Sequence, residues 1–203
     1  MKKMWKDAMI LFAITLIAGL VLGVVYQVTK APIAAQEEKA KQEACQEVFA
    51  DAEKFEPLET AEITTADWEE NGFAGVDIGE VMAALGGDGS GLGYVITVTS
   101  KEGYGGDIEF MMGVRSDGTL NGISLLSISE TAGLGMRAEE VLKPQFKDKN
   151  AESFEYTKSG AMGDNQIDAI SGATITTNAV TNAVNAGLYY FRTVLVEGGS
   201  VNE

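Results

Sequence analysis

The string Asp168-Ala169-Ile170-Ser171-Gly172-Ala173-Thr174-Ile175-Thr176-Thr177 gathers hydroxyls and small residues at one turn. Beyond it, Ala179, Val180, Ala183, Val184, Leu188, Tyr189 and Phe191 recur at helical spacing, with no proline among them. That spacing predicts a helix beginning at this turn. The first N–H groups of a helix have no partner within it, and the aligned peptide dipoles place partial positive charge there. An anion is therefore favoured beside Thr174, Thr176 and Thr177. Gly172 and Ala173 leave the backbone open to close approach, and the Thr174 hydroxyl can accept a phosphoester. The same residues also suit an ordinary threonine cap after a glycine turn. Residue types alone leave both readings open.

Other chemistries are excluded by what the chain lacks. There is no histidine, so a His-based triad, a His-ligated metal and a His proton shuttle are all absent. The single cysteine, Cys45, cannot form an internal disulfide or hold an iron–sulfur cluster alone, and it reads as a packing residue. Redox chemistry would have to come from an organic cofactor that the protein positions. Asp67, Glu69, Glu70, Asp77 and Glu80 lack EF-hand spacing and read as a solvated face, so no metal site is expected. The cluster from Gly86 to Gly93 lacks the Lys-Ser/Thr ending of a phosphate loop and precedes a strand, which makes it a hairpin loop.

Charge divides the chain. The first 30 residues hold four lysines against one aspartate, a balance of +3, and the total of −15 leaves −18 for the remainder. Such acidity repels nucleic-acid phosphates and excludes nucleic acid as a partner. Ala8 to Tyr26 contains no charge and matches the roughly 20 residues that cross a bilayer as a helix. Lys2, Lys3 and Lys6 precede it, which predicts a cytoplasmic N-terminus and an extracytoplasmic remainder. The apolar core exceeds that of a signal peptide, and Ile33 falls where a cleavage site wants a small residue, so an uncleaved anchor in the lipid bilayer is expected.

The elements that must position the turn follow in order. Gln36 to Phe49, with sparse apolar positions at Ala40, Ala44, Val48 and Phe49, reads as a mostly solvated stalk helix ended by Pro57. From Gly93 the pattern becomes β, with runs at Tyr94–Thr99, Ile108–Val114 and Leu120–Ile128. Gly103 to Gly106 joins the first pair, and the Ser116-Asp117-Gly118 hairpin signal joins the second. A short helix begins near Arg137 or Ala138 and ends by Pro144. An extended segment with Phe154 and Tyr156 then leads to the Thr174 turn. Met111, Met112 and Met136 are read as core filler. Grouped strands with helices at the ends predict an α+β fold. The expected division is residues 1–30 for the N-terminus and transmembrane helix, 31–55 for the stalk or linker, and 56–203 for one soluble domain.

Asp168 with Ser171-Gly172-Ala173-Thr174 resembles the flavinylation motif of the FMN-binding domain shared by the G subunit of Rnf electron-transport complexes and the C subunit of the sodium-pumping NADH:quinone oxidoreductase, Nqr. Thr29-Lys30-Ala31-Pro32-Ile33-Ala34 is similar to the family's membrane exit. Gly103-Tyr104-Gly105-Gly106 and Ser129-Glu130-Thr131-Ala132-Gly133-Leu134-Gly135 resemble two further signatures, in the family's order. Ala132 stands where the family usually has proline. The resemblance implies an FMN-binding domain with an antiparallel sheet and packed helices, and one FMN joined covalently to Thr174 through a phosphoester, a phosphoprotein-type linkage. In it, Asp168, Ser171, Gly172 and Ala173 belong to the attachment motif. Glu130, Thr131, Gly133, Leu134 and Gly135 frame the ring, the Thr131 hydroxyl at its polar edge and Leu134 over a face, although the same loop also reads as a plain strand exit.

The implied role is an electron relay in the cell membrane, not catalytic alone, within a ferredoxin:NAD oxidoreductase coupled to sodium or proton translocation. Its partners would be the other Rnf membrane and iron–sulfur subunits and, during maturation, a flavin transferase. The Nqr C subunit and a flavin-free anchored scaffold or sensor domain remain as alternatives.

Overall fold

The uncharged apolar run Ala8 to Tyr26 lies within the first helix, α1 (Lys2–Val48), which continues through Pro32. The computed structural model describes residues 2–59 and 65–196 and divides between Ala40 and Lys41 into two units. In the first unit Leu11, Phe12, Leu20 and Leu22 are all more than half exposed. An 18-residue window has mean hydropathy 2.8, so this helix is long and apolar enough to cross a membrane. Its two threonine hydroxyls are satisfied internally: Thr15 and Thr29 donate to the carbonyls of Leu11 and Val25, 3.1 and 2.9 Å away.

The second unit is built on five strands, β1 (Lys54–Pro57), β2 (Val76–Leu85), β3 (Gly91–Ser100), β4 (Ile108–Arg115) and β5 (Leu120–Ile128). They pair antiparallel in chain order. Both faces of this sheet are covered. Successive side chains of a strand point to opposite faces, so Phe110, Met112 and Val114 of β4 enter one core while Met111 enters the other. The second core is closed by Ala44, Cys45, Val48 and Phe49, all about 3% exposed. Burial on both sides explains why β3 and β4 read as near-continuous apolar runs.

The first core is closed by α4 (Thr174–Tyr190), which presents Ala179, Val180, Ala183, Val184 and Leu188. Gly187 lies against β4 because any Cβ there would strike the Met112 sulfur. A π-helical segment, Phe191–Val196, continues the chain. Short elements complete the unit: α2 (Thr65–Glu70), α3 (Ala138–Val141) and the parallel pair β6 (Glu155–Thr157) and β7 (Gln166–Asp168). The α+β architecture is as the sequence predicts, and the hairpin at Asp117-Gly118 forms with Gly118 at φ +85°.

Three local expectations differ. Strands β1 and β2 precede Gly93. In β2 the register shifts between Ile78 and Val81, around Gly79-Glu80, and this bulge breaks the alternation that would have announced a strand. Residues 41–55, read as stalk, pack with the second unit. There Glu47 accepts from Ser124 and pairs with Lys143 at 2.7 Å. Burial alone would raise the Glu47 pKa, but these partners outweigh it and hold the carboxyl below its usual range. Finally, Met111 and Met112 are fully buried, whereas Met136 is 42% exposed and fills no core.

Among the described residues, one buried side-chain hydroxyl has no partner. Thr97, 4% exposed on β3, leaves its hydroxyl without a hydrogen bond among the described residues. An unpaired buried hydroxyl is destabilising, and an apolar group of the same shape removes that cost. Thr97→Val should therefore raise stability by about 1 kcal/mol, read as a higher urea midpoint for the detergent-solubilised chain. A lower midpoint would show that the hydroxyl is satisfied.

Candidate functional site

Two residues past the end of β5, Glu130 turns inward and is only 8% exposed. Its Oε2 accepts from the Thr176 hydroxyl at 2.8 Å, and its Oε1 accepts from the Gly105 N–H at 3.1 Å. One carboxylate thus ties together the loop between β3 and β4, the exit of β5 and the first turn of α4. Hydrogen bonds to an ionised acceptor are stronger than neutral ones, which suits a junction of three otherwise separate segments.

Glycines let these segments close. A Cβ on Gly135 would lie 2.6 Å from Thr176 Oγ1 and 2.7 Å from Glu130 Oε2. One on Gly103 would lie 2.8 Å from Glu130 Oε1, and one on Gly105 would strike the Ser129 carbonyl. The requirement at these three positions is for space. At Gly172 it is also conformational, because φ is +79° and Leu134 Cδ2 stands 3.1 Å from a Cβ built there.

The helix start is unusual in its cap. Ala173 occupies the N-cap position, with φ −131° and ψ 54°, and makes no side-chain cap hydrogen bond. A threonine cap is therefore not what the string encodes. Thr177 is buried and braces the turn from inside: its hydroxyl donates to the Ala173 carbonyl at 2.9 Å and accepts from the Ile170 N–H at 3.1 Å. Thr176 is committed to Glu130. Thr174 is half-buried and lines a cavity.

That cavity, about 530 Å³, lies between the three tied segments. This is within the roughly 300–1,000 Å³ of small-molecule sites. The loop after β3 contributes Tyr104, the loop after β5 contributes Glu130, Thr131, Leu134 and Gly135, and the helix start contributes Gly172 to Thr176. Tyr104, Leu134 and Ile175 are 70%, 41% and 52% exposed, which gives the cavity an apolar rim. Among the described residues its lining includes no Lys or Arg, and Glu130 is its one carboxylate.

Of the residues singled out from sequence, the structure brings together Glu130, Thr131, Leu134, Gly135, Gly172, Ala173 and Thr174. Asp168, Ser171 and Gly133 are not among the lining residues. Asp168 Oδ1 accepts from the Ala161 N–H at 2.7 Å, and its own N–H donates to Gln145 Oε1 at 2.6 Å, so it braces the approach to the turn. Ser171 is exposed, and Gly133 turns the loop at φ +76°. Sequence reasoning missed Tyr104 and Ile175 as lining residues, and it placed Thr176 at the helix start without its tie to Glu130. An aromatic held between glycines at Tyr104, and an isoleucine exposed in the first turn of a helix, were the available signals.

The model for an FMN-binding domain matches residues 103–189, a span that contains every residue lining the cavity. The model for the RnfG N-terminal region matches residues 1–48. The G subunit of the Na(+)-translocating ferredoxin:NAD(+) oxidoreductase complex of Acetobacterium woodii is 30% identical, over 94% of this chain and 93% of that one. The G subunit of the proton-translocating complex of Clostridium ljungdahlii is 35% identical, over 88% and 90%. The chain belongs to the family of Rnf complex G subunits. The match across residues 1–48 decides against the Nqr alternative. Among solved structures, the Shewanella oneidensis NqrC overlays 56% of this chain and 58% of its own, at 23% identity and TM-score 0.46. As a member of this family with an apolar N-terminal helix, the chain is a membrane-associated protein carrying an FMN-binding domain.

The Glu130–Thr176 contact leaves no room for a methyl at residue 135. Gly135→Ala should cost about 1–3 kcal/mol, the usual penalty of overpacking, measured by urea unfolding. Unchanged stability would mean that the contact is not tight.

Proposed function

We propose that this chain is the membrane-anchored electron-relay component of an Rnf-type ferredoxin:NAD oxidoreductase that translocates sodium or protons, with FMN joined to Thr174 by a phosphoester. The observation that carries the attachment site is the fate of three neighbouring hydroxyls. Thr176 and Thr177 are buried and hydrogen-bonded, while Thr174 stands half-exposed on the cavity. The residues fit the group in three further respects. The cavity has the volume of a cofactor site, its rim is apolar where a flavin ring needs cover, and α4 begins without a side-chain cap to compete for its N–H groups.

Bound there, FMN would supply one- and two-electron transfer. The chain's own part is to hold and orient. Thr174 would fix the phosphate end, Leu134, Ile175 and Tyr104 would cover the ring, and Thr131 offers a hydroxyl to its polar edge. Glu130 keeps these segments in register. Covalent attachment matters for a domain facing away from the cytoplasm, since a dissociated flavin there would be lost by dilution. The names of the curated relatives support a complex with other Rnf subunits as partners. A flavin transferase acting before assembly is part of the same reading.

Chain made together with such a transferase should stay fluorescent through denaturing electrophoresis and gain the mass of FMN less one water. Thr174→Ala should abolish both signals while remaining folded, whereas Thr176→Ala and Thr177→Ala should still be labelled. Label that persists without Thr174 would sink the assignment.

Orientation has its own test. The lysines before the apolar segment support an N-terminus inside and an FMN domain outside. A membrane-impermeant protease added to cells with an opened envelope should digest the domain. Digestion confined to inverted vesicles would reverse the topology.

A further inference from the structure

Among the described residues the lining of the cavity has no Lys or Arg, and its one carboxylate, Glu130, is buried. Both Glu130 oxygens accept hydrogen bonds, from the Thr176 hydroxyl and the Gly105 N–H. Thr176 belongs to the same first turn of α4 as Thr174. Glu130 and Thr174 line the same cavity, so the carboxylate borders the space that a phosphate on Thr174 would enter. A helix N-terminus supplies about half a positive charge, less than the full negative charge of the carboxylate. Residues 31–203 add a background of −18. A phosphate monoester carries roughly −1.5 to −2 charges at neutral pH, whereas a phosphodiester carries one. Linkage to the protein thus removes charge from the site as well as tethering the ligand.

We infer that the unmodified pocket recognises the uncharged part of the flavin and disfavours the free phosphate, so that riboflavin binds the unmodified chain more tightly than FMN does. This rests on the assignment of Thr174-linked FMN to the cavity. Recognition then comes from the apolar rim of Tyr104, Leu134 and Ile175 and from the Thr131 hydroxyl. Glu130 makes the pocket selective against loose FMN, leaving it to the linked form.

The test uses the full-length chain, made without a transferase and held in uncharged detergent. It is titrated with riboflavin and with FMN while flavin fluorescence is followed. At about 10 mM salt, where screening reaches only over about 30 Å, riboflavin should bind about tenfold more tightly than FMN. At about 1 M salt, where the screening length is about 3 Å, the gap should shrink, with the change confined to FMN. Glu130→Gln should narrow the gap at low salt. FMN binding as tightly as riboflavin at low salt, a gap insensitive to salt, or a gap unchanged in a folded Glu130→Gln chain would each overturn the inference. Binding of neither flavin would also overturn it. If a transferase still loaded that same preparation at Thr174, the functional reading would stand. Failure to load Thr174 would sink the reading itself.

Discussion

A single buried carboxylate holds the site together. Glu130 receives the Thr176 hydroxyl on one oxygen and the Gly105 N–H on the other. Those two bonds join segments about 25 and 46 positions away in the chain. Removing one partner of such a contact leaves a buried charge uncompensated, which costs far more than the bond itself contributes. The glycine at 135 follows from it, since a side chain there would collide with the Glu130–Thr176 contact, while those at 103 and 105 let the neighbouring backbone close around it. The cavity is the space these tied segments enclose, so the arrangement of Tyr104, Leu134 and Thr174 is inherited from Glu130.

Much of this was legible in the sequence because the relevant signals are local. The apolar spacing from Ala179 to Phe191 announces α4, and Asp117-Gly118 announces a hairpin whose glycine indeed takes a positive φ. The clustering of hydroxyls and small residues before α4 marks where the chain changes direction. Signals that depend on distant partners were not legible. The Glu47–Ser124 and Glu47–Lys143 contacts span 77 and 96 positions, and nothing in the composition of residues 41–55 distinguishes a solvated helix from one whose apolar positions face a sheet. Strand β2 was hidden by a bulge of its own.

The same logic separates residues that hold the site from residues that form it. Asp168 stands within the motif string yet spends its hydrogen bonds on Ala161 and Gln145, fixing the path into the turn. Tyr104 stands outside that string, about 70 residues earlier in the chain, yet lines the cavity. A short motif read along the chain mixes the two kinds, because proximity in sequence places backbone whereas side-chain direction places chemistry.

The end of α1 carries a practical meaning for anyone who would separate the domain from its anchor. Pro57 looks like the natural place to cut, since it closes the helical composition. Yet Ala44, Cys45, Val48 and Phe49 are the lid over Ala84, Val95 and Met111. A cut at Pro57 would leave one face of a central β-sheet bare, an invitation to sheet-on-sheet aggregation. The severable joint is nearer Ala40, where the two units part. The last two turns of the first helix are, in folding terms, the first element of the domain that follows.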